Sequence, residues 1–395
     1  MRMKKLLILA VVAITLASCS HTFEVKHHEG SAIGFGTWSN VLTRAISDPR
    51  TAGTSSFGVG DSFAVYGYKN RASGDPTTAT VFDDDAVEMT VAGTPGTWTY
   101  SPLRFWDSNY DSYTFFAISP SSVGTAATVD PQTGAVSTSG SISFTGKNVA
   151  SDVLVADKKT VLKAAYNSQV ELVFNHIAAL VDFKVSKAPN LADATVKVTA
   201  FSLSNIENAG TFSVSSAYNG SVYGSTPTGL NPIVTWSTGN ATGSYGPGDG
   251  VTTVTLGTGL EIAQNDAFTN FDGTDNGEPA AAKATFVINN LIVKPQPLTA
   301  PTDETDFTET KPKLSITYTI TTGSGTSEST TEYTSQLWLS KFDLVNDNAQ
   351  NDTPVGSWAT GKHYVFYITL DANPIVFGAT ITDWTVVNGY HYLVN

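Results

Sequence analysis

Apolar and polar positions along this chain recur with a period of two, and a helical period is almost absent. Ser62-Phe63-Ala64-Val65-Tyr66-Gly67-Tyr68, Tyr113 to Ile118, Val196 to Leu203 and Leu314 to Ile320 alternate, or run in β-branched and aromatic residues, the composition that fits a pleated, half-buried surface. Each predicts a strand. The separators are turn-formers, among them Asn70 to Pro76, Gly93-Thr94-Pro95-Gly96 and Gly323-Ser324-Gly325, which is the punctuation of sandwiches and barrels. One stretch, Asp152 to Ala165, is expected to hold a short helix. Two others, Ser213 to Gly250 and Pro295 to Pro312, are rich in Gly, Ser, Thr, Pro and acidic residues and read as long surface excursions. No internal repeat of fixed period is present.

The first residues follow a different rule. Arg2, Lys4 and Lys5 precede an apolar run from Leu6 to Ala17 that is too short to span a bilayer, and Leu16-Ala17-Ser18 leads into Cys19, the one cysteine of 395 residues. A basic start, a short apolar core and small residues before the cut describe a secretory leader. A lone thiol at the lipobox position makes it a lipoprotein leader, with Cys19 as the acylated first residue of the mature chain. Several acyl chains would hold that terminus to an outer membrane far more firmly than a single one. With residues 1 to 19 removed, Lys+Arg falls from 22 to 19 while Asp+Glu stays at 35, so the net charge moves from -13 to -16. Such a balance argues against nucleic acid as a partner. No disulfide can form within the mature body, so its stability comes from packing, for which 41% hydrophobic and 11% aromatic residues suffice.

The chemistry-bearing candidates are few. Asp107-Ser108-Asn109-Tyr110-Asp111 begins like a calcium loop, but Ser112 replaces the turn glycine and Ile118 the bidentate glutamate. Asp83-Asp84-Asp85 and Asp272 to Glu278 are acidic turns that could hold a cation only in some other geometry. His21, His27 and His28 lack the companion ligands of a transition-metal site. His176, between two apolar stretches, reads as a hydrogen-bonded structural histidine. Neither a nucleophile elbow, a zinc-protease helix motif nor a phosphate loop occurs. The sequence offers no enzyme, no cofactor and no metal.

Taken in order, the strands form a recognisable series. Gly60 to Tyr66, Trp98 to Trp106, Tyr113 to Pro120, Asp152 to Ala156, Leu172 to His176 entering Val181 to Val185, Gly210-Thr211-Phe212, Lys294-Pro295-Gln296, Trp358 to Phe366 and Ile381 to Trp384 resemble, in order and spacing, the fimbrillin-like (type V pilus) lipoproteins of the Bacteroidales. Each motif is weak alone; the specificity lies in nine of them across residues 57 to 384. The resemblance implies an all-β chain: two tandem β-sandwich domains of transthyretin-like topology after the signal peptide. The expected divisions are residues 1–19 (leader), 20–44 (linker and removable first strand), 45–177 (N-terminal sandwich) and 178–395 (C-terminal sandwich). It also implies assembly as a pilus subunit. An arginine-specific protease would remove the first strand, and the emptied groove would take a strand from a neighbouring pilus subunit.

The mature chain has four arginines, Arg44, Arg50, Arg71 and Arg104. Arg44 follows the strand-like segment Ser31 to Leu42 and matches the family's cleavage position, so Arg44-Ala45 is the expected scissile bond, with Arg50 as the alternative. At the other end Tyr390, Tyr392 and Val394 share one face of an extended tail, which could act as the donor strand or close its own domain. Two further functions fit the same fold: a non-polymerising pilus anchor that keeps Cys19 attached, and a surface glycan-binding lipoprotein using Trp236, Trp338 or Trp358 as stacking platforms.

Overall fold

The computed structural model describes residues 30–37, 57, 59–71, 79–91, 97–123, 128–129, 136–143, 152–156, 158–172, 174–215, 233–236, 242–245, 259–262, 285–342, 355–372 and 376–383. Among these the chain is all-β, its open sheets packed as sandwiches and its helical content confined to short 3-10 turns. Cys19, Arg44, Arg50, the three histidines of residues 21–28, the acidic segment 272–278 and the tail beyond Asp383 lie outside the described residues.

The largest sheet runs Phe174–His176, Leu154–Ala156, Ser112–Ser119, Ser62–Asn70, Ala79–Val91 and Thr97–Thr99 in spatial order, with Lys159–Leu162 added alongside Ser112–Ser119. Strand Ser62–Asn70 is buried over six consecutive positions, which an amphipathic strand with one wet face would not be. Both its faces are covered. Phe63 and Val65 enter one cluster with Phe82, Tyr113, Phe115 and Phe174, whereas Ala64, Tyr66 and Tyr68 enter a second with Phe116, Ile118, Val153 and Val155. Gly67 leaves room on the first face: a Cβ there would lie 2.7 Å from the Phe82 ring.

The second half of the chain packs Thr285–Val293, Ala179–Lys187, Lys362–Leu370 and Val376–Asp383, in that order, against a sheet of Thr242–Tyr245, Thr195–Glu207, Lys313–Thr322 and Ser329–Trp338. Alternation drives this packing. Lys313–Thr322 shows a strict out-in burial pattern, placing Leu314, Ile316, Tyr318 and Ile320 against Phe183, Phe201 and Phe366. Ala179–Lys187 and Lys362–Leu370 pair in parallel, 181 to 364 through 187 to 370, so both lie deep within the sheet.

A further sheet joins the halves. Val136–Ser143 pairs along Ala209–Ser215, which continues to Ile233–Trp236 on its far side, with Thr128–Val129 at the other edge. Beneath it Phe212 and Ile292 from the second half meet Tyr66, Phe116 and Ile118 from the first, together with Ile177 and Ala178 between them. Ladder hydrogen bonds and a mixed core therefore both cross from one half to the other.

Two expectations are corrected. Asp152 to Ala165 holds strands Leu154–Ala156 and Lys159–Leu162 and only a single 3-10 turn, Lys163–Ala165; pairing with Ser112–Ser119 on the main sheet outweighs the local helix preference of Lys-Lys-Thr-Val-Leu-Lys-Ala-Ala. The surface excursion from Ser213 contains strands Ile233–Trp236 and Thr242–Tyr245.

Candidate functional site: the seat of the first strand

The first described strand, Phe35–Thr37, pairs in parallel with Val170–Leu172, while Ala32 just before it forms an antiparallel bridge with Phe105. The segment is thus held between two lines of backbone. On one side the Ile33 amide donates to the Arg104 carbonyl at 2.8 Å and the Trp106 amide to the Ser31 carbonyl at 3.1 Å; on the other the Val170 amide donates to the Gly34 carbonyl at 2.8 Å. The seat admits the chain at close range. A Cβ at Gly30 would stand 2.0 Å from the Trp106 carbonyl oxygen, so only glycine passes there.

Side chains do the rest. Ile33 and Phe35, two residues apart and on one face, are each 1% exposed. The Phe35 ring meets Phe63, Phe82, Tyr100 and Phe115 edge-on, with centroids 5.4 to 5.9 Å away, the arrangement aromatic quadrupoles favour. This ring is the plug of the first core. The Tyr100 hydroxyl donates to the Ile33 carbonyl at 2.6 Å and accepts from the Arg104 amide at 3.3 Å. Burial pushes the Tyr100 phenol above its ordinary pKa. The Arg104 guanidinium reaches Asp85 at 3.4 Å on the partly exposed outer side, a pair of small energetic weight.

Phe57 begins the chain on the far side of the two candidate arginines. It is 3% exposed, edge-on to Trp98 and Phe174, and those two rings also pack on Phe63, which itself touches Phe35. Arg44 and Arg50 therefore lie, in sequence, between two phenylalanines buried in the same core. The remaining arginines are engaged within the folded body: Arg71 lies over the Tyr110 ring and Arg104 meets Asp85. Arg104 and Tyr100 sit in the Trp98 to Trp106 stretch, whose aromatic density marks it as core but whose role as the wall of the seat carries no signal in the sequence.

The other candidates resolve differently. Asp107 spends both carboxylate oxygens on protein donors: Lys69 at 2.8 Å, and the amide and side-chain nitrogens of Asn109 at 3.0 and 2.9 Å. The Lys69 hydrogen bond, foremost, holds it below the usual carboxylate pKa. Asp84 accepts from Tyr66 and Asp85 from the Asp83 amide. Among the described residues no group of three His, Cys, Asp or Glu is placed to hold a metal ion, and no helix is long and apolar enough to cross a membrane. His176 is structural: its Nδ1 lies 2.6 Å from Asp152 with both side chains buried. Two of the three proposed sugar platforms are buried and the third is half-buried. Trp338 is 3% and Trp358 1% exposed, Trp338 is covered by the stacked Phe307 ring, and Trp236 packs against the core that joins the halves.

Comparison with known proteins supplies the last piece. No curated protein matches the chain significantly. Among solved structures, a fimbrial protein from Bacteroides vulgatus aligns over 90% of this chain and 99% of its own at 17% identity with a TM-score of 0.51, a likeness of fold. A fimbrial assembly protein from Parabacteroides distasonis aligns over 88% and 95% at 10% identity, with a TM-score of 0.32. The family model described as fimbrillin-like matches residues 43–384, nearly the whole all-β body, and the chain belongs to the fimbrillin-like family.

Proposed function

We propose that this protein is a fimbrial subunit, exported as a lipoprotein acylated at Cys19 and polymerised at the cell surface when an arginine-specific protease cuts after Arg44. The observation that carries the reading is the seat. Ser31 to Thr37 is a short segment whose two inward side chains complete an aromatic core built by later residues, and the expected cut falls between it and Phe57, the next buried anchor. After such a cut the first strand is held by noncovalent contacts alone. Its loss leaves backbone donors and acceptors unpaired and an apolar hole beneath them, a state that favours capture of another strand. A neighbouring subunit supplies it, the tail beyond Asp383 being the candidate donor, and the two sandwiches, meeting near His176 to Ala179, pass on as one jointed unit. The pilus-anchor reading shares every feature except the cut. The buried state of Trp338 and Trp358 leaves the glycan-binding reading with Trp236 alone, which is half-buried.

The test is cleavage. The chain without residues 1–19 should run as a compact monomer, since an open apolar edge would otherwise associate. In cells, Arg44→Ala should leave full-length lipid-bound monomer at the surface, Arg50→Ala should change little, and the wild type should give a ladder of heat-sensitive polymers. Filaments containing this protein in Arg44→Ala cells would overturn the reading in favour of another switch.

A further inference from the structure

Of the side-chain hydrogen bonds that hold the first strand, that from Ser31 to Asn167 is exposed and lies at its entry, while the part-buried one to Ile33 has the informative position. Ile33 is the only residue of the segment whose amide and carbonyl are both bound from the Tyr100–Trp106 wall among the described contacts: the amide by the Arg104 carbonyl, the carbonyl by the Tyr100 hydroxyl. A phenol has a single proton to give. At 2.6 Å it is given to Ile33, while the lone pairs take the Arg104 amide. The same ring stands edge-on to Phe35 at 5.7 Å and to Phe82 at 5.2 Å. Tyr100 thus touches the seated strand twice, by its hydroxyl at the carbonyl of one inward residue and by its ring at the side chain of the next.

We infer that Tyr100 is the latch and register-setting residue of this seat. It accepts a strand only where a main-chain carbonyl falls two residues before the aromatic that fills the hole of Phe35. A one-residue slip would turn Ile33 and Phe35 outward, and a two-residue slip would bring an inward side chain other than Phe35 to the ring. The segment the seat takes is therefore an extended one with large apolar residues at positions i and i+2, the second of them aromatic, running parallel to Val170–Leu172. This rests on the reading that the first strand is the element removed and replaced, and the latch can be tested apart from it.

The first measurement is native-state hydrogen exchange on the uncut chain lacking residues 1–19. Tyr100→Phe keeps the ring and deletes the proton. The amides of Ile33, Trp106 and Val170, which bond across the seat, should exchange about three- to tenfold faster, the yield of one net hydrogen bond. Amides of Ser62–Asn70 and Ser112–Ser119 should not change, and they also report that the variant is folded. Unchanged seat amides, or an equal rise throughout, would overturn the latch whatever happens after cleavage. The second uses the chain cut after Arg44 and freed of its strand, with a synthetic peptide of residues 30–39. Replacing the Ile33 carbonyl oxygen by sulfur, a weaker acceptor, should lower affinity several-fold for the wild type and leave Tyr100→Phe indifferent. Equal loss in both proteins refutes the assignment. A cut chain that never yields its strand counts against the cleavage reading and leaves the exchange result to decide the latch.

Discussion

Replacing Phe35 by alanine tests whether the first strand is part of the core or merely laid upon it. The ring is 1% exposed and touches Phe63, Phe82, Tyr100 and Phe115, rings contributed by strands on both sides of the main sheet's centre and by the wall of the seat. Deleting a fully buried phenylalanine costs about 3–5 kcal/mol, transfer and cavity together. Four surrounding rings cannot collapse into the hole without abandoning their own edge contacts, so the upper half of that range is expected. With a urea slope of about 2 kcal/mol per molar for a unit of this size, the midpoint should fall by roughly 2 M. Hydrogen exchange in urea separates the halves of the chain: peptides covering Ser112–Ser119 should show the shift and peptides covering Lys362–Leu370 should lag behind it. A fall below about 0.3 M, or one of equal size in both peptides, would refute the claim that Phe35 is the plug of the first core.

Three further outcomes are expected. Cys19→Ala should abolish incorporation of a fatty-acid probe, because no other thiol can accept the lipid, and persistent labelling would exclude Cys19 as the acceptor. A stop codon at position 385 should spare folding and cleavage yet block chain growth if the tail is the donor; undiminished polymers would place the donor elsewhere. Burial pushes the Tyr113 phenol up to about 12 from 10.0, so the folded state favours its protonated form; that stabilisation is complete below pH 10 and lost as pH rises through about 12, and a Tyr113→Phe chain should show a shallower alkaline decline in its unfolding midpoint.

The strands that were legible in the sequence are those whose environment is simple. Lys313–Thr322 has one wet and one dry face, and its alternation reads directly as burial. Ser62–Asn70 and Ser112–Ser119 are dry on both faces and read as continuous apolar runs bounded by turns. Val136–Ser143, whose sequence is Val-Ser-Thr-Ser-Gly-Ser-Ile-Ser, gives no such signal. It is a strand because Ala209–Ser215 offers it a ladder seven residues long, a long-range fact that no local window contains. The helix expected after Asp152 fails for the related reason that pairing with the main sheet overrides local preference. The departures at Ser112 and Ile118 from the calcium-loop pattern are legible locally, whereas the ion pair of Asp107 with Lys69, 38 residues away, is not.

The seat is the instructive case, because its weakness in the sequence and its suitability for exchange have one cause. Ile-Gly-Phe-Gly has poor strand propensity: two glycines carry the largest backbone entropy cost and offer no side chain to a neighbour. Such a segment is ordered only by what surrounds it, here two backbone lines, one phenol and a ring of aromatics. Held covalently, it closes the core. Cut free, it must retain by a handful of hydrogen bonds and two side chains a conformation that costs about 1–2 kcal/mol per residue in backbone entropy. A more regular strand from a neighbour, without glycine at alternate positions, would lose less entropy on seating and fill the same hole. The measurement that follows is competition: a peptide of residues 30–39 in which Gly34 is replaced by threonine, whose side chain would point away from the core, should bind the emptied seat more tightly than the native sequence. Weaker binding would show that the native glycines are required by the seat itself, and that exchange is driven by something other than the poor fit of the departing strand.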